Sequence, residues 1–408
     1  MLTLVLVVIL AALVFEFING FHDTANSIAT VVATKVLSPG WAVMLAAFMN
    51  LIGALTGTAV ALTIASGLLN TNVVDVTPQV ILCALLGGII WNLITWWKGL
   101  PSSSSHALIG GLCGAGLAAA HNNWDALIWS ERLGNWAQNK GLLWKVFVPM
   151  ITSPIAGFLL GIVVMVLLWA LIAGLAKVGG AIGRLARPRI VNAFFGKAQI
   201  ASAAYMGFAH GHNDAQKTMG IITLTLISTG ALHKGDNPPV WVIVSAGLAI
   251  ALGTYMGGWR IIRSMGSGLA DIRPPQGFAS ETAAATVILT SSHMGYGLST
   301  TQVCSGGIMG AGLGGPAGKL RWGMVRRMAY TWGLTLPAAA VVSGVAALVA
   351  DRGNWGVALV GLALVAGAGS MWLVSRRQPV HADNVNEVDA APAAVGLPTA
   401  PAPTTLAA

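Results

Sequence analysis

The sequence is poor in charged residues and in cysteine, and each shortage excludes a class of protein. Charged residues make up 9% of the 408 residues, whereas a soluble domain carries about 25%. The chain is therefore expected to lie in a membrane rather than to form a soluble domain. Its three cysteines, Cys83, Cys113 and Cys304, lie in apolar segments without CxxC spacing. Neither a disulfide framework nor a zinc site is expected from them, and we interpret them as packing residues.

What the sequence has instead is long apolar runs. Hydrophobic residues make up 55% of the chain, and its mean hydropathy is +0.75. Apolar segments of about 17–25 residues, the length of a membrane-spanning helix, recur along the chain. They predict an all-α polytopic membrane protein with about 11–12 transmembrane segments. The predicted segments are 2–34, 41–66, 79–97, 101–120, 145–174, 200–232, 240–259, 276–294, 299–318, 328–350 and 355–374.

The basic residues are unevenly distributed between the loops, which explains the net charge of +9. Threading the segments alternately places most loop Lys and Arg on one side, including Arg184, Arg187 and Arg189. Short basic loops stay in the cytoplasm. We therefore predict an inner (plasma) membrane protein with its N-terminus outside and its C-terminus in the cytoplasm. The basic surplus reflects topology, and no nucleic acid is expected as a partner.

Two pairs of motifs indicate an internal repeat. The stretch "GFHDTANS" (20–27) aligns with "GHNDAQKT" (211–218), so that Asp23 corresponds to Asp214 and Asn26 to Lys217. The stretch "PSSSSHALIGGLCGAG" (101–116) aligns with "GLSTTQVCSGGIMGAG" (297–312). Each half is thus expected to contain an Asp-bearing helix break followed by a hydroxyl-bearing break.

The number of crossings predicts how the two halves are oriented. About five crossings precede a basic linker, so the second half should enter the membrane upside down, as an inverted-topology repeat with discontinuous or re-entrant helices. In such folds the interrupted helices meet near the bilayer midplane. We divide the chain into a first repeat (1–176), a basic cytoplasmic linker (177–199), a second repeat with an extra helix (200–377) and a disordered Ala/Pro-rich tail (378–408).

The hydroxyl-bearing breaks predict an anion site. Gly99 and Pro101 interrupt a helix just before a run of serines, and serine is a preferred residue at a helix start. The free N–H groups and positive dipole of a helix start bind anions. The alternative is that these hydroxyls only hydrogen-bond between packed helices. The candidate residues are Ser103, Ser104 and Ser105 in the first half and Ser299, Thr300 and Thr301 in the second.

The two aspartates have two predicted uses. With Asn26, Asn213 or Gln216 they offer the oxygen ligands that hard cations prefer, and so could hold a coupling ion. A carboxylate also accepts a hydrogen bond from the P–OH group of phosphate, which sulfate lacks at neutral pH. Lys217 is expected to pair with an aspartate, either structurally or within the site, or to contact the substrate.

Further intramembrane polar residues are candidates for handling ions or protons. Glu281 and Asn92 each lie inside a predicted span, where such residues are usually functional. For Glu281 a structural ion pair with the nearby Arg273 is the alternative. No cofactor or zinc site is expected, because the histidines near the breaks lack metal-ligand spacing. These histidines are His22, His106, His210, His212 and His293.

These motifs resemble those of the inorganic phosphate transporter (PiT) family. That family carries a GANDVANA-type motif and a GxPxSSxH-type element in each half, and the resemblance extends over about residues 15–320. It implies import of inorganic phosphate with sodium or protons, in some bacterial members as a neutral metal–phosphate complex. The form "HGHNDAQK" is more similar to bacterial low-affinity, proton-linked members. Carried over by position, the implied site residues are Asp23, Asn26, Asp214, Gln216, Lys217, Ser103–Ser105 and Ser299–Thr301.

The predicted function is secondary active transport of phosphate by alternating access of the two repeats. A sulfate permease of the same fold is the first alternative. A membrane-embedded hydrolase using Ser105 and His106 is a distant one, because adjacent residues at a helix start do not easily form a nucleophile–base pair and no GxSxG motif accompanies them. We therefore expect no enzyme. The expected partners are phosphate, a coupling cation and the bilayer, with a homodimer left open.

Overall fold

The computed structural model describes residues 2–66, 68–132, 134, 139–315, 318–376 and 380–386. Over these residues the protein is helical, with isolated bridges in place of strands, which confirms the predicted all-α class. The helices are α1 (Leu2–Ala33), α2 (Pro39–Ala54), α3 (Ala59–Ser66), α4 (Pro78–Trp97), α5 (Ser104–Ala119), α6 (Val148–Val178), α7 (Gly180–Gly183), α8 (Pro188–Ser228), α9 (Val240–Met256), α10 (Trp259–Gly266), α11 (Pro274–His293), α12 (Thr300–Leu313), α13 (Trp322–Ala350) and α14 (Asn354–Ser375).

Several described helices are long and apolar enough to cross a membrane. They are α1, α4, α6 together with the π-helix Leu143–Phe147 that precedes it, α13 and α14. Helices α9 and α10 together form a further candidate, which bends by 71°. The hydroxyl-bearing helices are shorter, with 16 residues in α5 and 14 in α12. At about 1.5 Å per residue neither reaches across a hydrocarbon core of about 30 Å. The predicted segments 101–120 and 299–318 are therefore half-helices, as the predicted discontinuous helices require.

The Asp-bearing motifs do not break their helices, and this part of the prediction is wrong. Helix α1 runs without interruption through Asp23, and the 41-residue α8 runs through Asp214. Each motif contains a single glycine and no proline, which a helix tolerates. The hydroxyl of Thr24 even bonds back to the carbonyl of Gly20 at 2.7 Å. The motifs therefore offer side chains, and not freed backbone carbonyls, to a ligand.

Two predicted boundaries also differ from the structure. Helix α8 begins at Pro188 rather than at residue 200, because proline at a first helical position pre-sets the backbone. Part of the predicted linker 177–199 is thus helical. At the start of the predicted tail, residues 380–386 are described, and Arg263 donates to the carbonyl of Asn384 at 2.7 Å. The rest of the tail, 378–379 and 387–408, lies outside the described residues.

The packing of the helices follows the repeat. Helix α2 packs on α8 as α9 packs on α1, α3 on α8 as α10 on α1, and α13 on α5 as α6 on α12. The two matched helices α1 and α8 run antiparallel. Thr218 donates to Glu16 in the middle of α1, while Thr34, just after the end of α1, donates to Gln199, earlier in α8, at 2.9 Å. Opposite directions of equivalent helices are what an inverted repeat predicts.

Two equivalent glycines let the inner helices approach closely. A Cβ on Gly253 of α9 would lie 2.0 Å from the carbonyl oxygen of Phe17, and one on Gly53 of α2 would lie 2.1 Å from that of Phe208. Small residues at such crossings allow backbone contact between membrane helices. These crossings hold α1 and α8 against their partners about one turn from the Asp-bearing motifs.

Candidate functional site

The starts of the two half-helices meet inside the protein. Ser103 caps α5 by accepting from the N–H of His106 at 3.2 Å, and Ser299 caps α12 by accepting from the N–H of Gln302 at 3.4 Å. The hydroxyl of Ser105 donates to the carbonyl of Leu298 at 3.5 Å, which places the first turn of α5 against the residue just before the Ser299 cap of α12. Two positive helix ends therefore lie side by side, an arrangement that favours an anion.

The second-repeat half of the site is a charged network around Asp214. The Lys217 ammonium donates to the Asp214 carboxylate and to the hydroxyl of Ser105, and also to the carbonyl of Leu298 at 3.0 Å. Thr300 donates to Asp214 at 3.1 Å. Both charged side chains are nearly inaccessible, with 1% and 3% exposed. Lys217 thus joins the Asp-bearing helix α8 to both hydroxyl-bearing helices.

Asn213 adds a further link to this network. Its amide donates to Asp214 at 2.7 Å and to the carbonyl of Leu298 at 3.0 Å, while it accepts from Ser292 at 2.9 Å. All of these atoms are buried. The predicted residues Asn213, Asp214 and Lys217 are therefore brought together.

The first-repeat half of the site has equivalent contacts, but it lacks the positively charged side chain of the second-repeat half. The Asn26 amide donates to the hydroxyls of Thr300 and Thr301, each at 3.2 Å. Asp23 lies on the same face of α1, and its carboxylate is 2.6 Å from His22 Nδ1. The far nitrogen of His22 is 3.0 Å from the hydroxyl of Thr95. The partners of this aspartate are uncharged or titratable, whereas those of Asp214 include an ammonium group.

The two aspartates come close together across the repeat. Asp23, His210 and Asp214 are buried, and one ligand atom of each lies within 4.8 Å of the others. His210 Nε2 is 3.2 Å from Asp214. Carboxylate oxygens and an imidazole nitrogen could hold a cation here. His210 had no role in the sequence analysis, although its position one turn before Asp214 places both on one helix face.

Several buried polar atoms at the site have no hydrogen-bond partner among the described residues. An unsatisfied buried polar atom costs about 1–3 kcal/mol, so a bound anion or cation at this place would offset a cost that the protein otherwise bears. The atoms are Ser104 Oγ, His106 Nδ1, Asn26 Oδ1 and the amide of Gln302.

Gln216 is a predicted site residue whose side chain has other hydrogen-bond partners in the structure. Its carbonyl accepts from the N–H of Val60 at 2.7 Å, and its amide donates to the carbonyl of His212. At about 100° per residue, a side chain two positions after Asp214 faces the other side of α8. Gln216 therefore fastens α3 rather than contacting the aspartates.

Glu281 and Asn92 also lie outside this hydrogen-bonded cluster. Glu281 receives hydrogen bonds from Thr30 and Ser202, and from Gln199 at 3.4 Å. Thr30 is seven residues beyond Asp23, about 10 Å along α1. Among the described residues, the hydrogen-bond partners of Glu281 are thus neutral side chains, not Arg273. Asn92 is buried in α4, and its side chain has no hydrogen-bond partner among the residues that the structure describes.

Sequence reasoning missed three hydroxyl residues of this site. Thr95 and Ser102 both approach the outer nitrogen of His22, at 3.0 and 3.3 Å, and bond to each other at 2.8 Å. Ser292 supports Asn213. Ser102 begins the serine run that the sequence singled out, but Thr95 and Ser292 sit in the last turns of α4 and α11 and carried no signal of their own.

A helical multi-pass membrane protein with an inverted repeat, paired helix starts and paired aspartates in its interior is typical of an anion transporter. The profile of the phosphate transporter family (PHO4) matches residues 19–343. The chain belongs to the phosphate transporter family. The predicted family is thereby confirmed, as is the prediction of a transporter rather than an enzyme.

Similar proteins agree with this assignment. A relative from Mycobacterium tuberculosis named "Probable low-affinity inorganic phosphate transporter" is 45% identical over 98% of this chain and 94% of its own length. A Bacillus subtilis relative of the same name is 40% identical over 85% of this chain and 97% of its own length. A solved structure titled "The sodium-dependent phosphate transporter" covers 86% of this chain and 99% of its own, with a TM-score of 0.71 and 22% identity. At that identity the structural likeness concerns the fold alone.

Proposed function

We propose that this protein imports inorganic phosphate by secondary active transport, coupled to protons or sodium. The observation that carries the proposal is the meeting of the α5 and α12 starts beside the Lys217 ammonium. Ser105 and Leu298 contact each other there, and both accept from Lys217. This place combines hydroxyl groups, helix dipoles and one fixed positive charge, which together suit a tetrahedral oxyanion.

The paired carboxylates favour phosphate over sulfate within this proposal. Asp23 and Asp214 lie beside the hydroxyls of α12, and Thr300 contacts Asp214 at 3.1 Å. A protonated phosphate oxygen can donate to such a carboxylate. Fully ionised sulfate cannot, and would leave the buried carboxylate facing a negative ligand. A sulfate permease remains the alternative that the experiment below must exclude.

The proposed coupling cation binds between the repeats. Asp23, His210 and Asp214 offer the ligand atoms, and Asn26 offers a carbonyl oxygen without a hydrogen-bond partner in the described chain. A sodium ion, a proton on one of these groups, or a divalent metal that travels with phosphate would each reduce the negative charge there. We further propose that the repeats rock against each other, with the N-terminus outside and the C-terminus in the cytoplasm.

Uptake of labelled phosphate into liposomes that contain the purified protein tests this proposal. Sodium and pH gradients are imposed separately, with excess unlabelled sulfate as competitor. We expect gradient-driven uptake that sulfate leaves intact, and loss of coupled uptake in Asp23→Asn and Asp214→Asn. The matched control is Asp236→Asn, a loop aspartate 44% exposed. Full competition by sulfate would move the assignment to a sulfate carrier, and normal uptake by both site variants would remove the aspartates from the mechanism.

A further inference from the structure

The two repeats place an amide and an ammonium group at equivalent positions. Asn26 and Lys217 align in the repeated motif, as do Thr301 and Ser105 in the hydroxyl motif. Asn26 donates to Thr301 at 3.2 Å, and Lys217 donates to Ser105. Asn26 of α1 and Lys217 of α8 therefore each contact the hydroxyl-bearing half-helix of the other repeat. The contact is therefore repeated in the two halves, but the side chain that makes it is neutral in the first half and positively charged in the second.

The charge difference falls next to the two aspartates. Asp214 has the Lys217 ammonium as a direct partner. The partner of Asp23 is His22 at 2.6 Å, and no Lys or Arg contacts Asp23 among the ion pairs of the described residues. The second aspartate is thus balanced from within the chain, while the first has no permanent positive partner.

The first half also keeps a polar atom, Asn26 Oδ1, available for a ligand. Asn26 is 6% exposed, and its Oδ1 accepts no hydrogen bond from the part of the chain that the structure describes. His210 of the second repeat, 3.2 Å from Asp214, brings a ring nitrogen within 4.8 Å of an Asp23 oxygen. A carbonyl oxygen beside a carboxylate is the donor set of a hard monovalent or divalent cation.

We propose that the Lys217 ammonium acts as a tethered cation in the second repeat. It occupies the position at which the first repeat, where the equivalent residue is the neutral Asn26, binds an exchangeable cation. The protein would then take up one fewer mobile cation with each anion than a carrier with asparagine at both positions. This inference rests on the proposed function only in identifying that cation as the coupling ion.

The variant Lys217→Asn tests the proposal by making both repeats alike. The purified protein, without phosphate, is melted in detergent at fixed pH in either NaCl or choline chloride. The variant should melt at a lower temperature than the unchanged protein in choline, and Na⁺ should raise its melting temperature more, because a ligand of the folded state stabilises it. The control Lys177→Asn makes the same charge change at an exposed site on α6 and should behave as the unchanged protein.

A second measurement adds phosphate. In Lys217→Asn the slope of the logarithm of phosphate affinity against the logarithm of Na⁺ concentration should increase by about one. That increase corresponds to one additional Na⁺ bound with phosphate, since linkage makes the two affinities reciprocal. An unchanged Na⁺ response with weakened phosphate binding would overturn the proposal and make Lys217 a phosphate ligand only. Lys217→Gln, which keeps more of the side-chain length, repeats the test if the asparagine variant is unstable. Failure of both variants to fold in either salt would also overturn it, because a site that an ion can fill should be rescued by that ion.

The two proposals can fail separately. The melting experiment contains no phosphate and reports on the cation position alone. If the unchanged protein binds no phosphate while Lys217→Asn gains a sodium response, the tethered cation stands and the proposed substrate is wrong.

Discussion

Breaking the Asp214–Lys217 pair should destabilise the fold far more than breaking an exposed pair. Both side chains are at least 97% buried, since 1% and 3% of their surfaces are exposed. Removing one partner of a buried ion pair costs about 3–5 kcal/mol, because an uncompensated charge remains. In Asp214→Asn, Lys217 keeps its bonds to Ser105 and Leu298. We therefore expect the lower end of the range, about 3 kcal/mol or a factor of roughly 150 in the unfolding equilibrium.

Removing both partners should cost about 3–4 kcal/mol, well below the roughly 6 kcal/mol expected if the two single costs were additive. Lys217→Met should cost a similar amount when made alone, whereas the double variant leaves no unpaired charge. We expect a coupling free energy of about 2–3 kcal/mol between the two substitutions. Unfolding by SDS in mixed micelles, followed by the fluorescence of the 15 tryptophans, measures these differences in choline buffer.

The exposed pair Arg321–Asp271 is the control for this cycle. Its atoms are 2.7 Å apart, but 49% and 81% of the two side chains are exposed. Water screens such a pair, so Asp271→Asn should change stability by less than about 1 kcal/mol. Additive costs in the Asp214–Lys217 cycle, or single costs as small as that of the control, would refute the reasoning that this pair is a buried ionic contact.

Three further predictions follow from the site and its packing. Gly253→Ala should lower stability by about 1–3 kcal/mol because its Cβ would meet a carbonyl oxygen at 2.0 Å, while Gly174→Ala, with open space around it, should be tolerated in the same SDS titration. Asn26→Ala loses two hydrogen bonds to α12. At about 0.5–1.5 kcal/mol each, stability should fall by about 1–3 kcal/mol in the SDS titration, and the exposed Asn192→Ala should leave it unchanged. Glu281→Gln should keep phosphate binding and lose uptake driven by a pH gradient in liposomes; equal uptake by variant and parent would exclude it from proton handling.

Much of the fold could be predicted from the sequence because its signals are local. Apolar length predicts helices in a membrane, and Gly99 and Pro101 followed by serine predict where α5 begins. The repeated motifs predicted which helices would be equivalent, and the mirrored packing of α1 and α8 agrees with them. The predicted helix break at Asp23 failed for a local reason too, since one glycine without proline does not interrupt a helix.

Contacts between residues far apart in the chain decide which residues form the site. The motif containing Asp214 also contains Gln216 and Lys217, and the sequence treats all three alike. The rotation of α8 turns Lys217 toward Ser105, 112 positions away, and Gln216 toward Val60. Hydropathy and spacing therefore determined that polar residues lie within the membrane, and in which helices. Only the packing of two antiparallel repeats decided which of those residues meet, because a side chain's partners depend on the face its helix presents to its neighbours.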